Sequence, residues 1–294
     1  MKILIAVSNQ EFSAPTLSIG MKVSSAFNAS VTILKVGPRI SEFSTSHVKL
    51  TRNIMEKWDF DIPGVDVLEW AFNFLCSNNY IKHQSIKSGF SKNTLVEKES
   101  NRIQLYLQGT AGTDVNLILR NGDIITELRD EILKGDFAVT IIGGSQKRRM
   151  AHDLIQYLDS SIFLVNKYTD KKPYRLLIAI NNSARSQKVV KYGVRISQAF
   201  NIPIDLLTVL KPKFSNKSSL KYFYKAEKFF RRIGVKYKPH ILTGDPVTLI
   251  KETAGDNHIV IMRSSQKNPI LKFFKGSKPL KIMEDSSFPI LIIK

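Results

Sequence analysis

Short apolar runs alternate along the chain with longer segments in which apolar residues recur every three or four positions. Over its second part this pattern predicts strands at residues 175–180, 204–209, 236–242, 258–262 and 288–293. It predicts helices between them, near residues 185–200, 218–233, 246–254 and 277–284. Asp245 followed by Pro246 is typical of a helix start, with the Asp as N-cap. Such alternation of strands and helices predicts parallel βαβ units.

The first part of the chain repeats this pattern. Residues 3–7 resemble residues 176–180, and at the same offset of 173 Gly20 falls on Gly193. Matching strands are predicted at residues 2–7, 31–36, 115–119, 138–142 and 162–165. The duplication predicts two related domains, residues 1–166 and 174–294, joined by a polar segment.

The first repeat carries an insertion at about residues 45–112, because the offset between the repeats falls from 173 to 122 by Gly122. Within the insertion, residues 65–77 have helical spacing of apolar residues, and residues 102–107 are predicted to form a strand. The remainder of residues 78–112 is polar and irregular, and the sequence leaves the role of the insertion open.

Both repeats resemble the universal stress protein (UspA-like) family in tandem form. The resemblance rests on the opening apolar runs, on Gly244-Asp245-Pro246, and on the closing Ser-Phe-Pro-Ile-Leu-Ile-Ile of residues 287–293. It implies an α/β fold with two doubly wound, Rossmann-like parallel sheets, each of five strands in the order 3-2-1-4-5. It also implies that the last strands of the repeats pair antiparallel and that the domains form an internal pseudo-dimer, in a chain that is a monomer or a homodimer.

In a sheet of this order, ligands bind where the strand order reverses, beyond the carboxyl ends of strands 1 and 4. ATP-binding members of the family carry an Asp after strand 1 and Gly-x2-Gly-x9-Gly-Ser/Thr after strand 4. Neither repeat has the full set: Arg263 and Gln266 hold glycine positions in the second repeat, and Asn181 holds the Asp position. The candidate ligand-binding residues of the second repeat are Asn181, Asn182, Val209, Arg263, Ser264, Ser265, Gly276, Ser277 and Lys278. Those of the first repeat are Gly143, Gly144 and Ser145.

Two interpretations of the broken motif stay open. In the first, both sites have decayed and the domains are scaffolds. In the second, the second repeat still holds an anion on the backbone of Gly276-Ser277 and on nearby cations. Arg263 decides between them, because it either fills the space of the ligand or clamps a phosphate.

The positive charge of the chain lies almost entirely on the second repeat. Residues 1–166 contain 18 basic and 17 acidic residues, whereas residues 167–294 contain 26 and 8. On the helix predicted at 218–233, Lys221, Lys225, Lys228 and Arg232 share one narrow face. This face is either a solvated surface or a site for a polyanion such as nucleic acid or an anionic membrane. The aromatic residues of the same helix are predicted to be buried and therefore not to stack on bases; they are Tyr222, Phe223, Phe229 and Phe230.

The sequence offers no pattern typical of catalysis. The five histidines have no metal-ligand spacing, the single cysteine has no partner for a disulfide, and no nucleophile–base pair stands out. No apolar run reaches 18 residues, which with the single cysteine indicates a cytoplasmic protein. We expect a non-enzymatic stress-response module that binds or regulates, with no cofactor or with ATP or another phosphate-bearing ligand bound weakly. The alternatives are ATP binding or weak ATP hydrolysis in the second domain, and a polyanion-binding adaptor. The partner is then anionic: a nucleotide, a nucleic acid or a membrane surface.

Overall fold

Two compact units make up the chain, Met1–Ser24 with Asn28–Thr140 and Ser25–Phe27 with Ile141–Lys294. The computed structural model describes residues 1–38, 63–83, 87, 89–90, 96–99, 102–110, 113–143, 160–210, 217–264, 282 and 287–294. The domain limits predicted from the repeat, 1–166 and 174–294, stay a prediction. The helix predicted at 277–284 lies outside the described residues apart from Ile282.

The elements follow the predicted alternation of strands and helices closely. The first elements are β1 (Lys2–Val7), α1 (Gln10–Phe27), β2 (Ser30–Gly37), α2 (Val65–Ser77), β3 (Val96–Glu99), β4 (Arg102–Gln108), β5 (Asp114–Asn121) and α3 (Ile124–Gly135). Then follow β6 (Val139–Gly143), β7 (Ser161–Val165), β8 (Arg175–Ile180), α4 (Ser186–Phe200), β9 (Ile204–Leu210) and a 3-10 turn (Lys217–Leu220). The last elements are α5 (Lys221–Arg232), β10 (Tyr237–Thr243), α6 (Pro246–Ala254), β11 (His258–Arg263) and β12 (Ile290–Ile293).

The sheet of the second unit has the strand order β10-β9-β8-β11-β12-β7. Strands β8 to β12 pair in parallel, which confirms the predicted order 3-2-1-4-5 for the second repeat. Its central strands are buried: Leu176, Leu177 and Ile178 of β8 are fully enclosed. Near-continuous apolar strands are expected where helices cover both faces of a parallel sheet.

Strand β7 adds to this sheet in the opposite direction. It pairs antiparallel with β12, with Leu291 opposite Phe163, as predicted for the last strands of the two repeats. All the residues of both strands are buried. Each strand thereby covers an edge that would otherwise present unpaired backbone groups to other chains.

The sheet of the first unit runs in the order β6-β1-β2-β5-β4-β3. Strands β1, β2 and β5 are parallel, as predicted, but the insertion adds β4 and β3 in antiparallel orientation beyond β5. The expectation of a purely parallel five-stranded sheet was therefore incomplete. Strand β3 was missed because its sequence, Val-Glu-Lys-Glu, is too polar and too short to show an apolar pattern. Strand β4 covers β5, which would otherwise be the edge of the sheet.

A buried ion network holds β4 to helix α3. The Glu131 carboxylate accepts hydrogen bonds from Arg102 at 3.0 and 3.1 Å and from Arg120 at 3.2 Å. Arg120 and Glu131 are almost fully buried. Buried charges of this kind are tolerated because each is paired and hydrogen-bonded.

Helices α3 and α6 start in the same way in the two repeats. Asp245 is the N-cap of α6 and accepts a hydrogen bond from the Thr248 amide at 3.0 Å. Asp123 does the same for α3 through the Thr126 amide, also at 3.0 Å. The N-cap predicted at Asp245 is confirmed. None of the helices in the described ranges combines the length and the apolar character that a membrane span needs.

Candidate functional site

The reversal of strand order in the second unit lies between β8 and β11. The two strands pair in parallel, and Ile178 is aligned with Ile261, so that Arg263 at the end of β11 lies level with Ile180 at the end of β8. Strand β9 runs alongside β8, with Thr208 opposite Ile180. The carboxyl ends of these strands form a crevice, the place where sheets of this topology bind ligands.

Two arginines flank this crevice. Arg263 ends β11 and is half-buried, and Arg185 directly precedes helix α4 and is exposed. Burial, and next the positive charge of Arg185, lower the pKa of the Arg263 guanidinium. A guanidinium does not lose its proton in proteins. The crevice therefore concentrates positive charge, and an anion placed there would relieve the repulsion.

The loop after β8 is folded onto the start of α4. The Ser186 hydroxyl lies 2.8 Å from the Asn181 carbonyl oxygen and 2.9 Å from its side-chain Oδ1. Asn181 and Asn182 are exposed, and Val209 is half-buried near the end of β9. Asn181 thus fixes the loop where the ATP-binding pattern has an Asp. The first amides of α4 already donate to carbonyls three residues earlier, so side chains rather than backbone would hold an anion at this point.

The remaining candidates contribute little to the described geometry. The backbone amide of Ser264 donates a hydrogen bond to the Ile293 carbonyl oxygen at 2.9 Å, which attaches the end of β11 to β12. Gly143 ends β6. Six candidates lie outside the described residues, namely Gly144, Ser145, Ser265, Gly276, Ser277 and Lys278.

Helix α5 presents the predicted basic face to solvent. The four cations are exposed, whereas Phe223, Ala226 and Phe230 are buried. The only acid of the helix, Glu227, accepts a hydrogen bond from the Tyr237 hydroxyl at 3.0 Å. The exposed cations are Lys221, Lys225, Lys228 and Arg232.

The aromatic side chains of α5 do not all behave as predicted. Phe223 and Phe230 are buried, as expected, but Tyr222 and Phe229 are only half-buried. Both line a pocket of about 210 Å³ between α4 and α5. The helical wheel groups residues by direction around the axis, but it does not tell how far the neighbouring helix covers them.

A second polar cluster, which the sequence did not reveal, lies at the amino ends of the same strands. Asp205 is almost fully buried and accepts hydrogen bonds from Arg175 at 2.5 and 3.0 Å. Its oxygens also lie 2.9 Å from His258 Nε2 and 3.1 Å from His240 Nε2. Burial raises the pKa of Asp205, but the hydrogen bonds from His258, Arg175 and His240 outweigh burial and hold that pKa well below its usual range.

This cluster connects four strands of the sheet with helix α6. It lies at the amino ends of the strands, whereas the crevice lies at their carboxyl ends. His258 also contacts the Ala254 carbonyl oxygen through Nδ1 at 2.8 Å, which joins α6 to β11. Within the described ranges, no group of three or more His, Cys, Asp or Glu side chains is arranged to hold a metal ion. The polar residues at the starts of three strands could have indicated the cluster only once the order and register of the strands were known.

Comparison with known proteins addresses the second repeat directly. The sequence model of the universal stress protein family matches residues 174–294. The resemblance predicted from the motifs of the second repeat is confirmed over these residues. Comparison of the sequence with curated proteins gives no significant match.

The universal stress protein fold extends to the rest of the chain as well. A universal stress protein from Archaeoglobus fulgidus matches with 12% identity and a TM-score of 0.60, covering 100% of this chain and 96% of that one. The functionally unknown protein PA1789 from Pseudomonas aeruginosa matches with 10% identity and a TM-score of 0.60, covering 100% and 92%. At such low identity the similarity shows the fold alone. That fold is α/β and Rossmann-like over both parts of the chain, as the sequence predicted.

Proposed function

We propose that the universal stress protein domain of residues 174–294 is a non-enzymatic regulatory module that binds a phosphate-bearing ligand, such as a nucleotide, at its crevice. The observation that carries this proposal is the placement of two arginines beside the crevice, Arg263 at the end of β11 and Arg185 directly before α4. In this proposal the two guanidiniums hold the phosphate, since their fork of donors fits phosphate oxygens bidentately.

The same residues argue for weak binding. Arg263 stands where the ATP-binding members of the family have a glycine, and its side chain occupies space that a backbone amide would leave to the phosphates. Asn181, which replaces the Asp of that pattern, is engaged with Ser186. A domain with these replacements is expected to sense the level of an abundant nucleotide rather than retain it.

Calorimetric titration with Mg-ATP tests the proposal. Arg263→Gly restores the glycine of the family pattern and distinguishes the two roles of the arginine. If Arg263 clamps a phosphate, losing its charged hydrogen bonds costs about 1.5–3 kcal/mol, which is about a 10- to 150-fold weaker Kd. A tighter Kd would instead mean that Arg263 blocks the site and would overturn the proposal.

Lys236→Gln is the matched control for this experiment. It also removes one positive charge from the second unit. Lys236 is exposed and directly precedes β10, so it lies at the amino end of a strand, whereas the crevice lies at the carboxyl ends. We expect its Kd to equal that of the wild type. A wild-type Kd of about 1 μM with two nucleotides per chain would contradict the degenerate character of the site.

A second candidate function, polyanion binding, is favoured by the exposed cations of α5. Four cations on one face without an acid between them destabilise the isolated helix, and a polyanion would compensate that repulsion. Each phosphate neutralised releases counterions, so the affinity for duplex DNA would fall with salt at a log–log slope of about −0.9 per contact. Replacing the four residues by Gln is expected to reduce this slope by about three to four. The four residues are Lys221, Lys225, Lys228 and Arg232. An unchanged slope would mean that this face is exposed to solvent and binds no polyanion.

A further inference from the structure

A groove between helices α4 and α5 combines aromatic and cationic side chains around one open pocket. The pocket has a volume of about 210 Å³. Sites for whole drug-sized ligands are larger, at about 300–1,000 Å³, so this pocket has room for a single ring system rather than a complete cofactor. Both helices lie within residues 174–294, and the pocket extends from the start of α4 along the surface between the two helices.

The floor and walls of the pocket are apolar. Val190 of α4 and Ala226 of α5 are buried beneath it. Tyr222 lies one helical turn before Ala226, and Phe229 lies one turn after it. Both are half-buried and line the pocket. Half-buried aromatic side chains at a pocket offer apolar surface on which another flat ring can stack.

The rim of the pocket is cationic. Lys191 of α4 and Lys225 and Arg232 of α5 line it, and all three are exposed. The Lys225 ammonium lies 5.3 Å from the centre of the Tyr222 ring. The pocket lining contains no carboxylate, because its two other residues are Ser186 and Gln187. The occupant is therefore expected to carry negative charge beside a flat apolar part.

We propose that this groove binds single-stranded nucleic acid, with one unpaired base in the pocket between Tyr222 and Phe229 and the flanking phosphates on Lys191, Lys225 and Arg232. The proposal deepens the polyanion-binding function, on which it rests. Single-stranded sites commonly combine a cationic track with aromatic side chains on which bases stack. A base in a duplex is stacked and paired, so a pocket between two helices cannot receive it without unpairing.

The charge of the groove favours nucleic acid over an acidic peptide. The rim cations are two lysines and one arginine, and both residue types bind phosphates, lysine as a point charge and arginine through its fork of donors. The cations also continue along α5 as Lys221 and Lys228, beyond the pocket. A regular line of cations matches the regular line of charge on a nucleic-acid backbone.

The first test compares two oligonucleotides of equal length and charge on the full-length protein. One is oligo-dT, and the other has the same backbone without bases. Stacking of one base contributes enough that we expect the abasic strand to bind about 5- to 150-fold more weakly at the same salt concentration. Equal affinity for the two strands would overturn the pocket while leaving the polyanion function standing, and this comparison needs no variant of the protein.

The second test assigns the effect to the pocket. Tyr222→Ala and Phe229→Ala are each expected to abolish the preference for the strand with bases and to leave binding of the abasic strand unchanged. Tyr224→Ala is the matched control, because Tyr224 is an exposed aromatic residue of the same helix that does not line the pocket. If Tyr224→Ala has the same effect as the other two, the assignment to the pocket is wrong.

The remaining outcomes separate this inference from the function on which it rests. Duplex DNA that binds as tightly as oligo-dT would overturn the inference but support polyanion binding. An acidic peptide with an aromatic residue that displaces oligo-dT at equal concentration would overturn the assignment to nucleic acid. Absence of binding by every nucleic acid at low salt would overturn both.

Discussion

Replacing Asp205 by Asn tests the cluster at the amino ends of the strands in the second unit. Asp205 is 3% exposed, and its carboxylate accepts hydrogen bonds from Arg175, His258 and His240. Asn has nearly the same shape but one oxygen fewer, so that its NH2 group would face donors. Arg175 and His258 would then lose acceptors, and the guanidinium would keep a charge without its partner.

The expected cost follows from the exposure of the partners. Removing one member of a buried ion pair costs about 3–5 kcal/mol, and the 36% exposed side chain of Arg175 places this pair at the lower limit. For a unit of this size, about 3 kcal/mol corresponds to a fall of about 6–12 °C in Tm. Differential scanning calorimetry of the full-length protein measures it, with binding of oligo-dT as a check that the surface of α5 is intact.

The control is the same substitution at an exposed carboxylate. Asp256 pairs with Lys172 at 2.7 Å, but the Asp256 side chain is 80% exposed. Surface pairs of this kind contribute little, so Asp256→Asn should leave Tm nearly unchanged. If Asp205→Asn lowers Tm no more than Asp256→Asn does, the buried cluster does not stabilise the unit and the reasoning fails.

The dependence of stability on pH gives a second measurement on the same pair of proteins. The folded-state pKa of Asp205 lies below its unfolded value, so the carboxylate contributes its full stabilisation above a pH of about 4. This contribution is lost as the pH falls through the folded-state pKa. The difference in unfolding free energy between wild type and Asp205→Asn should therefore be constant near neutrality and shrink in acid. A difference that grows as the pH falls below about 4 would contradict the assignment.

Two further substitutions test the packing within each unit. Glu131→Gln leaves Arg102 beside a neutral side chain and Arg120 with the Glu127 carboxylate alone. We expect a loss of about 3 kcal/mol in the unfolding free energy of the first unit, measured by urea denaturation, and a loss below about 1 kcal/mol would show that the network is dispensable. In Gly193→Val, the new side chain meets Ile178, whose Cδ1 would lie 2.4 Å from the added Cβ. We expect overpacking to cost about 1–3 kcal/mol, and an unchanged Tm would show that α4 can move away from β8.

Much of the fold could be predicted because its elements are strongly periodic. The bounds of β8 and α6 were predicted to the residue, and so were those of α2 within the insertion. The duplication helped, because each repeat supported the other. Strand β3 could not be predicted, since its stability comes from pairing with β4 rather than from an apolar pattern of its own.

The candidate sites were predicted less completely, because contacts between distant residues decide them. Arg263 stood out by its place in a glycine position, but its neighbour Arg185 lies 78 residues earlier and had no local signal. Tyr222 and Phe229 were assigned to the core because they share a helical sector with Phe223, whereas α4 covers only part of that sector. Periodicity gives the direction of a side chain, and only the packing of its neighbours gives its depth.

The most direct test of the central claim follows the arginine side chains themselves. With the protein labelled with nitrogen-15 in arginine, the Nε resonances of Arg185 and Arg263 can be assigned by single substitutions and observed during a titration with Mg-ATP. If a phosphate binds between the two guanidiniums, both resonances should shift together and saturate at one ligand per chain. Shifts confined to Arg231 and Arg232 of α5, or no saturable shift at all, would contradict a phosphate site at the crevice.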